Sequence, residues 1–218
     1  YSMVDDLTAL IHKDLDISSC VDDEIELDCG EKTSQSLPAY DKYLEAVSDL
    51  NKLNYESAYK KFKEAIIIDS TFFDAHYLSI ISQAWMETIN KKDVINSCKK
   101  IIDNGIFKDN DQKLKIEGLC LYEKREHEKA QFILEKLVEN DPEDKYSWYI
   151  LGESYYHMDK NDKNEEQYYN KADSAFKKAL KLDPDLGVAR IHVMDMLFFA
   201  GEYNQIIKQE KEALSNGI

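Results

Sequence analysis

One spacing recurs three times in this chain, and it constrains the fold more than any other feature. Ala172, Phe176 and Ala179 precede Pro184 by 12, 8 and 5 residues. Ala130, Leu134 and Leu137 stand at the same distances before Pro142, and Ala58, Phe62 and Ala65 before Ser70. Offsets of four and seven place the three residues of each copy on one helical face. The small residues let a partner helix come close, and the large middle one fills the gap between the two. Each copy then closes on aspartate: Asp69-Ser70, Asp141-Pro142 and Asp183-Pro184. Aspartate followed by proline stops a helix, because the residue before proline is pushed out of the α region, and proline then opens the next helix well.

Upstream of the last copy, Trp148, Leu151, Gly152 and Tyr155 fall at i, i+3, i+4 and i+7. Joined to Ala172, Phe176, Ala179 and Pro184, the pattern is W-x2-L-G-x2-Y … A-x3-F-x2-A-x4-P, which resembles the tetratricopeptide repeat. The preceding copy keeps Leu114, Gly118 and Leu121 on the corresponding stripe. The resemblance covers about residues 38–218. It implies an all-α chain: a right-handed α-solenoid of about five helix-turn-helix repeats, preceded by a short helix and an acidic linker over 1–37. On that frame the repeats run about 38–71, 72–105, 106–144, 145–184 and 185–218. In the degenerate second repeat, Val94, Cys98 and Ile101 take the small-large-small positions and Asn104-Gly105 replaces the proline stop. The fourth repeat carries eight extra residues near 159–166. Without glycine or proline in that stretch, the expectation is that both flanking helices grow by about a turn.

Composition excludes several function classes. Ten glycines and prolines (7 and 3) over 218 residues are too few breakers for an all-β chain, which turns every eight to twelve residues. No apolar run approaches the roughly 18 residues of a membrane-spanning helix. The 28 basic and 43 acidic side chains give a net charge of −15, a field that repels nucleic acid. Residues 1–36 carry ten acids against two bases, net −8, much of it in the run 22–28. That run reads as a solvated linker. Before it, Val4, Leu7, Leu10, Ile11 and Leu15 share one helical face. Cys20, Cys29, Cys98 and Cys120 match neither a disulfide framework nor zinc-ligand spacing, and ordinary thiols point weakly to the cytoplasm. The chain opens on Tyr1, as expected of a processed or excised piece whose targeting signals are out of view.

Catalytic patterns are lacking. There is no G-x-G-x-x-G, phosphate loop, H-E-x-x-H or G-x-S-x-G. The stretch from Asp159 starts like a calcium loop but has Lys163, Asn164 and Asn170 at the positions that need an oxygen ligand, glycine and glutamate. His12, His76, His127, His157 and His192 are scattered and read as surface or core residues. The sequence predicts a non-enzymatic chain without metal or cofactor.

In the tetratricopeptide family the first helix of each pair lines a concave groove that receives a peptide. Carried over by position, this implies Tyr77 and Trp85 from the second repeat, and Lys115, Leu119 and Tyr122 from the third. The fourth contributes Tyr146, Tyr149, Glu153, Tyr156 and His157; the fifth contributes Ala189, Arg190, Val193 and Met196. Such amphipathic aromatics are common interface anchors. The carboxylate clamp of chaperone-tail binders is broken, since Leu119 and Leu186 stand where it needs asparagine and lysine. The expected function is a protein-interaction scaffold for a partner with apolar anchors and basic flanks. Residues 36–44 also look like the junction in some multidomain bacterial regulators, which implies the alternative of a regulatory segment acting by self-association. Ile191, Met194, Leu197, Phe198 and Phe199 are candidates for such an end face.

Overall fold

Long stretches free of glycine and proline, each with one apolar face, leave the chain little choice but helix. The computed structural model describes residues 34, 36–158 and 165–215, and among these there are ten helices and no strand. They pair as α1 (Leu37–Asn51) with α2 (Tyr55–Ile68), α3 (Phe73–Ala84) with α4 (Lys91–Asp103), and α5 (Asn110–Glu123) with α6 (His127–Asn140). Two further pairs complete the array: α7 (Lys145–Tyr156) with α8 (Glu165–Leu182), and α9 (Gly187–Phe199) with α10 (Tyr203–Ser215). Each helix packs on the next along the chain, the pattern of a helical-repeat solenoid. The segment before residue 34, including the apolar stripe from Val4 and the acidic run, lies outside the described residues.

Two small backbone devices repeat with the helices. The first, a left-handed residue, ends the first helix of pairs one, three and five: Leu53, Arg125 and Gly201 have φ of 63°, 62° and 74°. At each, the next residue's N–H reaches back five positions, from Asn54 to Asp49, Glu126 to Leu121 and Glu202 to Leu197, at 2.8–2.9 Å. This is the Schellman closure of a helix C-terminus. The second device is the terminal aspartate. The side chains of Asp69, Asp141 and Asp183 accept from the N–H two residues on, at 2.9, 3.1 and 2.9 Å. The Asx turn is common to all three copies whether proline or serine comes next, so the helix stop rests on aspartate rather than on proline.

The repeated spacing packs as its chemistry requires. Ala58, Phe62, Ala65, Ala130, Leu134, Ala172, Phe176 and Ala179 are fully buried. Gly118 and Gly152 lie against the large middle residue of the following helix. A Cβ on Gly152 would stand 2.6 Å from the Phe176 ring, and one on Gly118 would stand 3.0 Å from Leu134.

In the fourth pair, α8 spans 18 residues from Glu165, whereas α7 ends at Tyr156 after 12. The expected lengthening is therefore seen on the second helix only; residues 159–164 lie outside the described set.

The first helices form the inner layer: α1 meets α3, α5 meets α7, and α9 returns to α1. Gly187, the first residue of α9, makes that return possible, because a Cβ there would come within 2.2 Å of the Asn51 carbonyl oxygen. In an open solenoid each repeat touches only its neighbours. Here the start of α9 also meets the end of α1, so the last pair touches the first across the inward face.

Candidate functional site

The inward positions carry tyrosines and charges that gather into two groups. At the N-terminal ends of α3, α5 and α7, the Lys115 ammonium lies 3.0 Å from the Asp144 carboxylate and 5.5 Å from the centre of the Tyr77 ring. Burial works against the Lys115 charge, but Asp144 and Asp74 hold its pKa above the ordinary lysine value. Burial pushes the Asp74 carboxyl up. Tyr77 and Tyr146 are buried with hydroxyls that have no hydrogen-bond partner.

The second group lies at the other end of the same helices and centres on Glu153, which is 2% exposed. Tyr122 on α5 donates its hydroxyl to the Glu153 carboxylate at 2.7 Å. His157 Nε2 stands 3.2 Å from the same oxygen, and His192 of α9 contacts the other. Trp85, at the end of α3, donates its indole N–H to the Tyr149 hydroxyl at 2.8 Å and stacks on Tyr55 at 5.5 Å between ring centres. Burial alone would raise the Glu153 pKa; His192, then the close contact of His157 and the hydrogen bond from Tyr122, instead hold it well below the usual carboxylate range. All five helix pairs thus contribute a side chain to one interior.

Of the positions that the repeat pattern assigns to a groove, Tyr77, Tyr146, Tyr149, Glu153 and Arg190 are buried, while Trp85, Lys115, Tyr122 and Tyr156 are half-buried. Their partners are one another and their own chain, not open solvent. Trp85, Tyr122, Tyr149, Glu153 and Tyr156 come together, Tyr77, Lys115 and Tyr146 form the other group, and the Arg190 guanidinium donates to the Pro184 carbonyl in its own turn.

His192 and Phe176 are central members that the groove pattern passed over. His192 shares the α9 stripe of Ala189, Val193 and Met196, so its inward direction was readable. Its meeting with Glu153 needs the return of α9 across the interior, which no local pattern carries.

Among the described residues no three histidine, cysteine, aspartate or glutamate side chains are placed to hold a metal ion. Among the described residues no helix has the length and apolarity to cross a membrane. Cys98 and Cys120 are free and buried.

No family model matches this chain, and no curated protein does. Among solved structures it is similar to MamA 41-end from Desulfovibrio magneticus RS-1, with 17% identity and a TM-score of 0.42 over 84% of this chain and 96% of that one. A second, titled crystal structure of MamA, has 18% identity and a TM-score of 0.43 over 78% of this chain and 92% of the other. At these values no residue role and no activity passes from those proteins to this chain.

Proposed function

We propose that the chain is a non-enzymatic protein-binding scaffold of the tetratricopeptide type, whose inward aromatic face receives a peptide or protein segment. The observation that carries this reading is the make-up of the interior. Aliphatic side chains would suffice to pack helices, yet Trp85, Tyr122, Tyr149, Tyr156 and Glu153 converge there, and the Tyr55, Tyr77 and Tyr146 hydroxyls are buried without a partner. Buried hydroxyls left unpaired are uncommon, and a bound segment that supplies their hydrogen bonds accounts for them. A segment gains that face when α9 parts from α1. With a net charge of −15, the scaffold favours a partner with apolar anchors flanked by lysine or arginine, steered by charge at low salt.

The test is affinity for a partner captured by cross-linking, measured over a salt series. Tyr156→Ala or Trp85→Ala weakens binding by about 2 kcal/mol or more if its ring is an anchor. Salt should chiefly slow association. An acidic partner, or full affinity in both variants, contradicts the reading.

A second reading, self-association, has its own observation. Phe198 and Phe199 are 57% and 74% exposed, and Tyr203 and Ile207 beside them are 57% and 51% exposed. Three of these rings cluster at centre distances of 5.8 Å. Of the other end-face candidates, Leu197 is buried and Ile191 and Met194 are half-buried. Concentration-dependent sedimentation that Phe198→Ser/Phe199→Ser abolishes would favour this reading; a monomer at every concentration excludes it.

A further inference from the structure

His192 is surrounded as a ligand would be. Its side chain is 5% exposed, and the rings around it come from other helices. Phe176 of α8 lies parallel to the imidazole, with centres 4.6 Å apart and planes at 8°. Tyr156 meets it nearly edge-on at 5.0 Å, Trp85 stands at 5.7 Å and Tyr149 at 6.5 Å. Glu153 closes the remaining side, with one carboxylate oxygen against Nε2. The face that Phe176 lays over the imidazole is electron-rich, and such a face beside a buried carboxylate favours a planar cation over a neutral group. Glu153 suits this role because it is buried and its other carboxylate oxygen is fixed by the Tyr122 hydroxyl at 2.7 Å.

The imidazole is also an imperfect occupant. Neither His192 ring nitrogen has a partner in hydrogen-bond geometry, and Glu153 Oε1 likewise has none. The contact is unaligned, and a guanidinium, with several N–H donors in one plane, would pair Oε1 better while Oε2 keeps its hydrogen bond from Tyr122.

We propose that Trp85, Tyr149, Tyr156, Phe176 and Glu153 form a cation-recognition cage that His192 occupies as an internal ligand, and that lifting α9 opens it to a basic side chain of the partner. The partner's share of this rests on the scaffold reading above; the cage itself does not. Release of α9 breaks its close seat at Gly187 on the Asn51 carbonyl and withdraws His192 in the same movement. The autoinhibitory contact and the binding site are then one feature, and arginine is the side chain whose planar fork fits it best.

The experiment uses the full chain with His192→Ala, checked for helicity, and methylguanidinium as the probe. N-methylacetamide, planar and neutral, is the comparison. Calorimetry should detect methylguanidinium binding to His192→Ala, and at least about tenfold weaker binding to the wild type, where the probe must first displace His192. Affinity should fall by at least about tenfold for N-methylacetamide, and by as much when Glu153→Gln is added. A folded His192→Ala that ignores methylguanidinium, binds both probes equally, or is indifferent to Glu153→Gln overturns the proposal. Should His192→Ala fail to fold, the wild type decides. Methylguanidinium then speeds amide exchange along α9 where N-methylacetamide does not, and equal exchange with both overturns it. Probe binding to His192→Ala alongside cross-linking that captures no protein partner would sink the scaffold reading while leaving the cage standing.

Discussion

At the scale of single residues, the Gly152–Phe176 contact shows how closely the two helices of a pair approach. A Cβ at 152 would stand 2.6–2.7 Å from two atoms of a fully buried ring. Gly152→Leu should therefore cost about 1–3 kcal/mol through overpacking, read from thermal unfolding; an unchanged midpoint would remove the basis of the packing described for the fourth pair. Arg125 offers the opposite sign. It is exposed and holds a φ of 62°, which any residue with a Cβ adopts at a cost. Arg125→Gly should raise stability by up to about 1 kcal/mol, less whatever the freer unfolded chain takes back, and a fall in the denaturation midpoint would contradict this. Glu153 sets an acid limit. A carboxyl held below its ordinary value stabilises the fold above that value, and the contribution is lost as the pH falls through the folded value. His157, His192 and Tyr122 are the groups that hold it. Below about pH 4.3 the wild-type melting temperature should fall more steeply than that of Glu153→Gln; parallel acid limbs would show that Glu153 is not held ionised by the fold.

At the scale of helices and turns, the repeat spacing was readable because it is local. Three residues on one face and a stop after them lie within a dozen positions. Their physical role is visible in the fully buried Ala58, Phe62, Ala65, Ala172, Phe176 and Ala179. The stop was legible only in part. Proline stands out in a sequence, yet the Asx turns at Asp69, Asp141 and Asp183 are the shared element, and Ser70 serves as well as Pro142 or Pro184. Asp141→Ala should accordingly cost about 1 kcal/mol, the value of a typical side-chain hydrogen bond to backbone, while Pro142→Ser changes little. The reverse order in unfolding midpoints would return the stop to proline. Helix lengthening was only half legible, because the absence of breakers permits a longer helix on either side of an insertion and does not say which. The inward stripe of α9 was legible residue by residue, but its neighbours were not. Trp85 and Tyr149 are 64 positions apart, and a contact at that range depends on the curvature of the whole array.

At the scale of the whole molecule, curvature decides what the inward face can do. Five pairs bring α9 back to α1, so tyrosines that a shallow superhelix would offer to solvent instead pack on one another around Glu153. Closure joins pair one to pair five and should make unfolding more cooperative than in an open array, where stability is a sum over neighbours. The same closure ties binding to the separation of α9 from α1. Both the closed interior and its opening depend on that seat, and Gly187→Ala tests it through the sign of one number. On backbone grounds alone, replacing glycine with alanine in a helix stabilises a protein by up to about 1 kcal/mol. At position 187 the added Cβ would come within 2.2 Å of the Asn51 carbonyl and 2.8 Å of the Leu53 side chain. The closed interior therefore predicts that Gly187→Ala lowers the midpoint of denaturant unfolding, and a midpoint equal to or above that of the wild type would contradict it.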